Sequence, residues 1–388
     1  MSTKPRIYLD NAATSWPKPP AVYEAVCRYM RENGAAAGRG VYGSSQQVAA
    51  VLSSLRRRLA LLLGISSTSR VIFTFNGTDA LNLAIHGLLG PGDHVVTTDV
   101  EHNSVLRPLR FLQRYRGVTV TYVPCDSSGT VAPDDVAAAL RPETRLVALT
   151  HASNVTGAIQ PVEDILAALG DHPAFRLIDA AQTAGHLPLQ AESLGVDLLA
   201  CSGHKGLLGP LGTGVLAISQ RAAETLVPLR EGGTGTFSEQ EDQPQKLPDR
   251  FESGNLNVPG LVGLERGVAF LEERSLEAMR CHEKSLVAYL LESLNSVRGC
   301  TVIGPQDAER QVGVVSFRLE GYDPQELAAI LDAEFGIEVR SGLHCAPRLH
   351  HRLGTLHSGG TVRVSVGPFT VREHIDSVAA ALHQLAAV

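Results

Sequence analysis

From about residue 48 to residue 220 the chain alternates helical stripes with short apolar runs, and this alternation leaves few folds open. Val48, Val51, Leu52, Leu55, Leu59 and Leu62 recur at helical spacing, and Val71-Ile-Phe-Thr-Phe75 then reads as a buried strand. Leu81, Ala84, Ile85 and Leu88 form the next stripe. Further strands are predicted at His94–Thr98, Thr119–Val123, Arg145–Thr150, Phe175–Asp179 and Gly214–Ile218. Short apolar strands separated by helices predict an α/β fold with a mixed, mostly parallel sheet covered on both faces.

After Gly260 the pattern changes. A long charged helix, about Val262–Ser296, leads into a smaller α+β unit. Its predicted strands are Val312–Leu319, Ile337–Arg340 and Thr361–Val366, and its predicted helices Pro324–Phe335 and Val371–Leu385. The polar, Gly-rich stretch Gly232–Gln245 reads as a long loop, which either borders a site or is a surface excursion.

The 388 residues are 44% hydrophobic, enough for two domains on one chain. A formal charge of −6 gives no electrostatic case for nucleic acid or an anionic membrane. No apolar run approaches the roughly 20 residues that cross a bilayer, and the N-terminus lacks a signal peptide's apolar stretch, so the expected location is the cytoplasm. The six cysteines lie far apart without a Cys-x-x-Cys pair, which argues against a disulfide scaffold or structural zinc. His344, Cys345, His350 and His351 cluster within eight residues, yet no second ligand pair accompanies them, and no metal is expected.

The strongest chemical signal is a predicted strand ending in Cys201-Ser-Gly-His-Lys205, followed by a Gly-rich return. A crowded lysine loses solvation, its pKa falls, and its neutral amine becomes a nucleophile; a surface lysine in a turn is the alternative. Asp179 ends an apolar strand, where a carboxylate needs a partner: a cofactor or a helix N-terminus. Asn76-Gly-Thr-Asp79 opens a helix, whose free N–H groups suit a phosphate or simply a side-chain cap. His102 and Asn154 each follow a strand, and Cys345 sits in Arg340-Ser-Gly-Leu-His-Cys-Ala-Pro347. A thiol there is either a small buried hydrophobe or a nucleophile favoured by Arg340 or His344.

Ser202-Gly-His-Lys205 with Gly212-Thr-Gly214 resembles the attachment signature for pyridoxal 5'-phosphate (PLP) in class V aminotransferases. The segment around Cys345 is similar to the Arg-Thr-Gly-His-His-Cys-Ala segment of group II (Suf-type) cysteine desulfurases. Family-like segments also occur at Tyr8–Thr14, Gly38-Arg-Gly40 and Phe251–Asn257, so the resemblance runs from residue 8 to about 375. It implies the aspartate aminotransferase-like fold type I, divided into an N-terminal segment (1–20) packing on the small domain, a large PLP domain (21–262) and a small domain (263–388) carrying Cys345 and Arg363.

The resemblance also implies roles. Lys205 carries PLP, Asp179 meets the ring nitrogen, Gln182 and Asn154 the ring oxygen, and His102 stacks on the ring. Gly77, Thr78 and the backbone of Asp79 hold the phosphate, with Ser202 and His204 opposite. Arg363 grips the substrate carboxylate, with Arg340 a further substrate contact, and Cys345 takes sulfur from L-cysteine. A homodimer and a sulfur-acceptor protein or thiol are implied, with iron–sulfur cluster assembly one destination. The remaining cysteines (27, 125, 201, 281 and 300) are expected to be small buried hydrophobes. L-selenocysteine as substrate, another class V activity (epimerase, aminotransferase) and a non-catalytic carrier remain alternatives. Leu343 stands where many group II enzymes have His, and Asn255 where the family has a Thr reaching the phosphate across the dimer.

Overall fold

The computed structural model describes residues 6–38 and 40–387. In chain order its strands are β1 (Ile7–Tyr8), β2 (Val71–Thr74), β3 (His94–Thr98), β4 (Thr119–Val123), β5 (Thr144–Thr150), β6 (Phe175–Asp179), β7 (Leu198–Ser202), β8 (Gly214–Ile218), β9 (Cys300–Ile303), β10 (Val314–Leu319), β11 (Ile337–Glu338), β12 (Arg340–Gly342) and β13 (Thr361–Ser365). Seven of them form one sheet in the order β2-β8-β7-β6-β5-β3-β4. From β7 across to β4 the pairing is parallel, whereas β8 lies antiparallel between β7 and β2.

Successive residues of these strands enter opposite cores. Ile72, Val95, Leu177 and Leu198 join one cluster, and their neighbours Phe73, Val96, Ile178 and Leu199 join the other. Burial on both faces is why the strands read as unbroken apolar runs. The parallel strands all end on one edge, and the loops leaving that edge hold the polar residues singled out in the sequence.

The single long helix expected after Gly260 is two helices, Val258–Arg274 and Leu276–Asn295. Ser275 separates them at φ +63°, and its side chain accepts from the Ala278 N–H as the cap of the second. The Ile337–Arg340 segment also divides. β11 pairs in parallel with β1, while β12 joins the antiparallel sheet β12-β13-β10-β9. β9 was not legible, because only Val302 among its four residues is buried. A third core gathers Ile7 and Leu9 with Leu286–Val302 and Val315–Leu382 side chains. No helix among the described residues is long and apolar enough to cross a membrane.

Candidate active site

The C-terminal edge of the large sheet encloses a cavity of about 210 Å³. Its walls include Gly77, Thr78, His102, Asn154, Asp179, Gln182, Ser202, His204, Lys205, Arg340 and Arg363. Register explains part of this convergence: Thr150 lies beside Asp179, Asp179 beside Ala200, and Ser202 beside Gly214. Arg340 pairs across strands with Arg363, so two cations reach the cavity from the smaller sheet.

Asp179 is 5% exposed and accepts the Ala181 N–H at 2.9 Å, with no ion pair to a lysine or arginine among the described residues. Desolvation raises its pKa, while that N–H and the Lys205 charge oppose the rise. Desolvation lowers Lys205 to about 8, with Asp179 working against it and Arg363 and Arg340 adding to the fall. The pair thus places an amine that gives up its proton more readily than an ordinary lysine and a carboxylate in one desolvated space. Behind Asp179, buried Glu101 accepts from Thr98 Oγ1 and the Thr150 N–H and is pushed up to about 8, chiefly by desolvation. The sequence reading passed over Glu101, although it adjoins His102.

Gly77 begins the Gly77–Leu88 helix, and a Cβ there would lie 2.4 Å from Ser202 Oγ, so the helix tip and β7 approach too closely for any side chain. Thr78 Oγ1 and His102 Nδ1 each share a hydrogen bond with Ser104 Oγ at 2.8 Å. Since the Ser104 N–H also donates to His102 Nδ1, the ring proton belongs on Nε2. Burial first, then Lys205 and Arg340, lower His102 to about 4, keeping it neutral. Asp79 departs from expectation. Its N–H is taken by Asn76 Oδ1 and its carboxylate faces Arg230 and the Phe75 N–H, because Asn76 caps the helix. It has no free backbone proton for a phosphate.

Asn154 Nδ2 donates to the His344 carbonyl, and the Asn154 carbonyl accepts from Arg363 Nη1 at 2.9 Å. Gln182 Nε2 donates to the Ala12 carbonyl. Arg363 is 1% exposed, and its Nη2 donates to Asp10 Oδ1 at 2.5 Å, which leaves Nε without a partner. Asp10 is a second residue the sequence reading left without a role; its only signal was the Tyr8–Thr14 segment.

Cys345 lies at the cavity mouth, in an adjoining open groove of about 550 Å³ shared with His102, Ser104, Arg107 and Phe111. His344 and Cys345 adopt φ of +45° and +60°, a conformation non-glycine residues reach only at a cost of order 1–3 kcal/mol each. The Asn103 N–H holds the Cys345 carbonyl at 2.7 Å, and Arg340 Nη2 donates to Sγ at 3.4 Å. Of the two groups expected to favour the thiolate, Arg340 makes contact. His344 is turned away toward Thr361, and burial lowers its pKa to about 2. Among the described residues no three His, Cys, Asp or Glu side chains converge on a metal-sized site.

Two of the cysteines expected to be buried, Cys27 and Cys281, are exposed on the outer faces of helices. Cys125 and Cys201 are buried, and burial pushes the Cys125 thiol up to about 11. Cys300 is half-buried. Asn255 lies beside Arg230 and Gly212 in a separate small cleft. Arg39 of Gly38-Arg-Gly40 lies outside the described residues.

Residues 7–378 match the family described as aminotransferase class-V. A probable cysteine desulfurase of Halalkalibacterium halodurans is 37% identical, the alignment covering 98% of this chain and 93% of that one. A cysteine desulfurase of Pectobacterium carotovorum is 32% identical over 98% and 93%. Among solved structures, an apo cysteine desulfurase from Thermococcus onnurineus superposes with a TM-score of 0.90 at 34% identity, covering 98% of this chain and 95% of that one. The S-sulfonic acid form of an Escherichia coli cysteine desulfurase gives 0.88 at 26%, covering 98% and 94%.

Proposed function

The chain belongs to the class-V aminotransferase family, and on that premise we propose that it is a PLP-dependent cysteine desulfurase, removing sulfur from L-cysteine to give L-alanine and a persulfide on Cys345. One observation carries the reading: Cys345, in contact with the Arg340 cation, stands at the mouth of the cavity that holds Lys205 and Asp179.

The residues fit the cofactor. The closeness of Gly77 to Ser202 makes a cradle that a Cβ would fill, at a helix N-terminus suited to a phosphate. Asp179 is a buried carboxylate that forms no ion pair among the described residues, which suits a protonated ring nitrogen. Lys205 is the residue that would hold the cofactor, with Gln182, Asn154, Ser202 and His204 around it. When bound, PLP supplies an electron sink for charge developing at the substrate Cα.

The chain's own groups do the rest. Arg363 and Asn154 orient the substrate carboxylate; Arg363 has an unused Nε–H for it besides the groups now on Asp10 and Asn154. Lys205 Nζ, with its lowered pKa, moves the proton at the substrate Cα. Neutral His102 presents its Nε2–H to the cavity without adding charge. The Cys345 thiolate attacks the substrate sulfur. A new S–S bond forms as the C–S bond breaks, and the proton lost by Cys345 ends on alanine.

We read 1–20, of which 1–5 lie outside the described residues, as an N-terminal segment packing on the small domain, 21–262 as the large domain and 263–388 as the small domain, a division supported by the separate core around Leu286–Leu382. The family resemblance supports a homodimer, with Asn255 near the partner's site, and a protein or thiol acceptor in the cytoplasm. The test is sulfide and alanine release from L-cysteine with a reductant, by wild type and Cys345→Ala. Equal amounts of both, lost in the variant while PLP stays bound, are expected. Undiminished sulfide release from Cys345→Ala refutes the assignment.

A further inference from the structure

The N-terminal segment runs as a strap along the cavity wall, from the Arg363 strand to the backbone of Lys205. Asp10 pairs with Arg363, the Ala12 N–H donates to Ser365 Oγ, and the Ala12 carbonyl accepts from Gln182. Farther on, four donors reach one acceptor, the carbonyl of His204: the Ser15 N–H at 3.1 Å, Thr14 Oγ1 at 3.1 Å, Ser15 Oγ at 3.2 Å and Lys18 Nζ at 2.8 Å. A carbonyl has two lone pairs, so this is a saturated acceptor. Ser15 Oγ also lies 3.0 Å from the Lys205 carbonyl. A Cβ on Gly206 would meet the Ala184 carbonyl at 2.4 Å, so the backbone just after Lys205 is closely packed as well.

Lys18 is the unusual member. Its Nζ donates to the His204 carbonyl and to Ser15 Oγ at 2.7 Å, and among the described residues it forms no ion pair. A desolvated cation facing only neutral acceptors is costly, and burial lowers its pKa to about 7. A neutral donor would tether a backbone more cheaply; a cation polarises and stiffens the peptide it grips.

We propose that Lys18 is a positioning residue for Lys205, its ammonium fixing the His204–Lys205 peptide so that the Lys205 side chain enters the cavity from one backbone position. The proposal rests on Lys205 being the cofactor lysine. It extends the working site to a strap residue that touches neither substrate nor cofactor.

The test uses the PLP-loaded enzyme and its Lys18→Met, Lys18→Arg and Ser15→Ala variants. Three quantities are read: the fraction of cofactor that borohydride fixes on Lys205 by peptide mapping, the rate of cofactor loss on dilution, and kcat and KM for L-cysteine. For Lys18→Met, kcat is expected to fall about tenfold with KM within about twofold, cofactor loss to quicken and fixation to drop, the size expected for one charged hydrogen bond. Lys18→Arg, which keeps a cationic donor, recovers most of the loss. Wild-type kcat and fixation in Lys18→Met overturn the proposal, as does a loss that tracks thermal stability and is not recovered by Lys18→Arg. If Lys18→Met does not fold, Ser15→Ala decides: a smaller loss of the same kind supports the clamp, and none overturns it. A wild-type adduct mapping to another lysine instead refutes the Lys205 assignment itself.

Discussion

Arg340 stands 3.4 Å from Cys345 Sγ and pairs across strands with Arg363, so one cation is directed at the thiol and the other at a carboxylate. Removing the first takes away the donor to Sγ and leaves Lys205 and Asp179 in the cavity. Arg340→Gln is expected to slow iodoacetamide alkylation of Cys345 about tenfold at neutral pH, since the thiolate is the reacting form; unchanged alkylation would dismiss Arg340 as its partner. The Lys205–Asp179 relation makes a pH statement. Desolvation lowers Lys205 to about 8, and the Asp179 carboxylate, with a smaller contribution from Asp10, favours its charged form. Capture of added PLP by the apoenzyme, which needs the neutral amine, therefore rises as pH passes about 8. Asp179→Asn removes the favourable charge, so the midpoint moves to lower pH. A stopped-flow pH series that leaves it in place would contradict this coupling.

At the scale of elements, the approach of the Gly77–Leu88 helix to β7 is a tight geometric constraint on the site. Gly77→Ala places a methyl against Ser202 Oγ, at an overpacking cost of about 1–3 kcal/mol. The expected outcome is a fold retained by circular dichroism with PLP affinity reduced at least about tenfold. Equal affinity would mean that the cradle is not used. The helix around Leu55–Leu59 was legible because its apolar stripe persists over the element, and Phe175–Asp179 because burial on both faces makes a short apolar run, whereas the Asn103–Arg116 helix was not read. Failures arose where one residue changes direction. Ser275 breaks a continuous helical pattern by a backbone angle, and Val339 passes the chain from one sheet to another. Neither event alters hydrophobic spacing. Residues on strand ends that line the cavity were singled out through motifs; Asp10 and Glu101 were not, since their partners are distant in sequence or in backbone. At Asp79 the sequence did not show that the Asn76 side chain caps the helix and takes the backbone N–H.

Across the whole molecule, the strap joins the small sheet to the Lys205 loop, and its Asp10–Arg363 ion pair is the joint. Asp10→Asn leaves a buried guanidinium without its anion, a change expected to destabilise the enzyme by several kcal/mol, about 3–5 at most. L-alanine, whose carboxylate offers a replacement partner, should then raise the melting temperature of the variant more than that of wild type. Equal thermal shifts would place the product carboxylate away from Arg363. Cys345 is the proposed receiver of the substrate sulfur. The most direct test is mass spectrometry of the holoenzyme after one turnover with L-cysteine in the absence of reductant. One added sulfur on the peptide containing Cys345, released by a thiol and matched by one alanine, is the expected result. Alanine formed with Cys345 unmodified, or sulfur found on another cysteine, would contradict it.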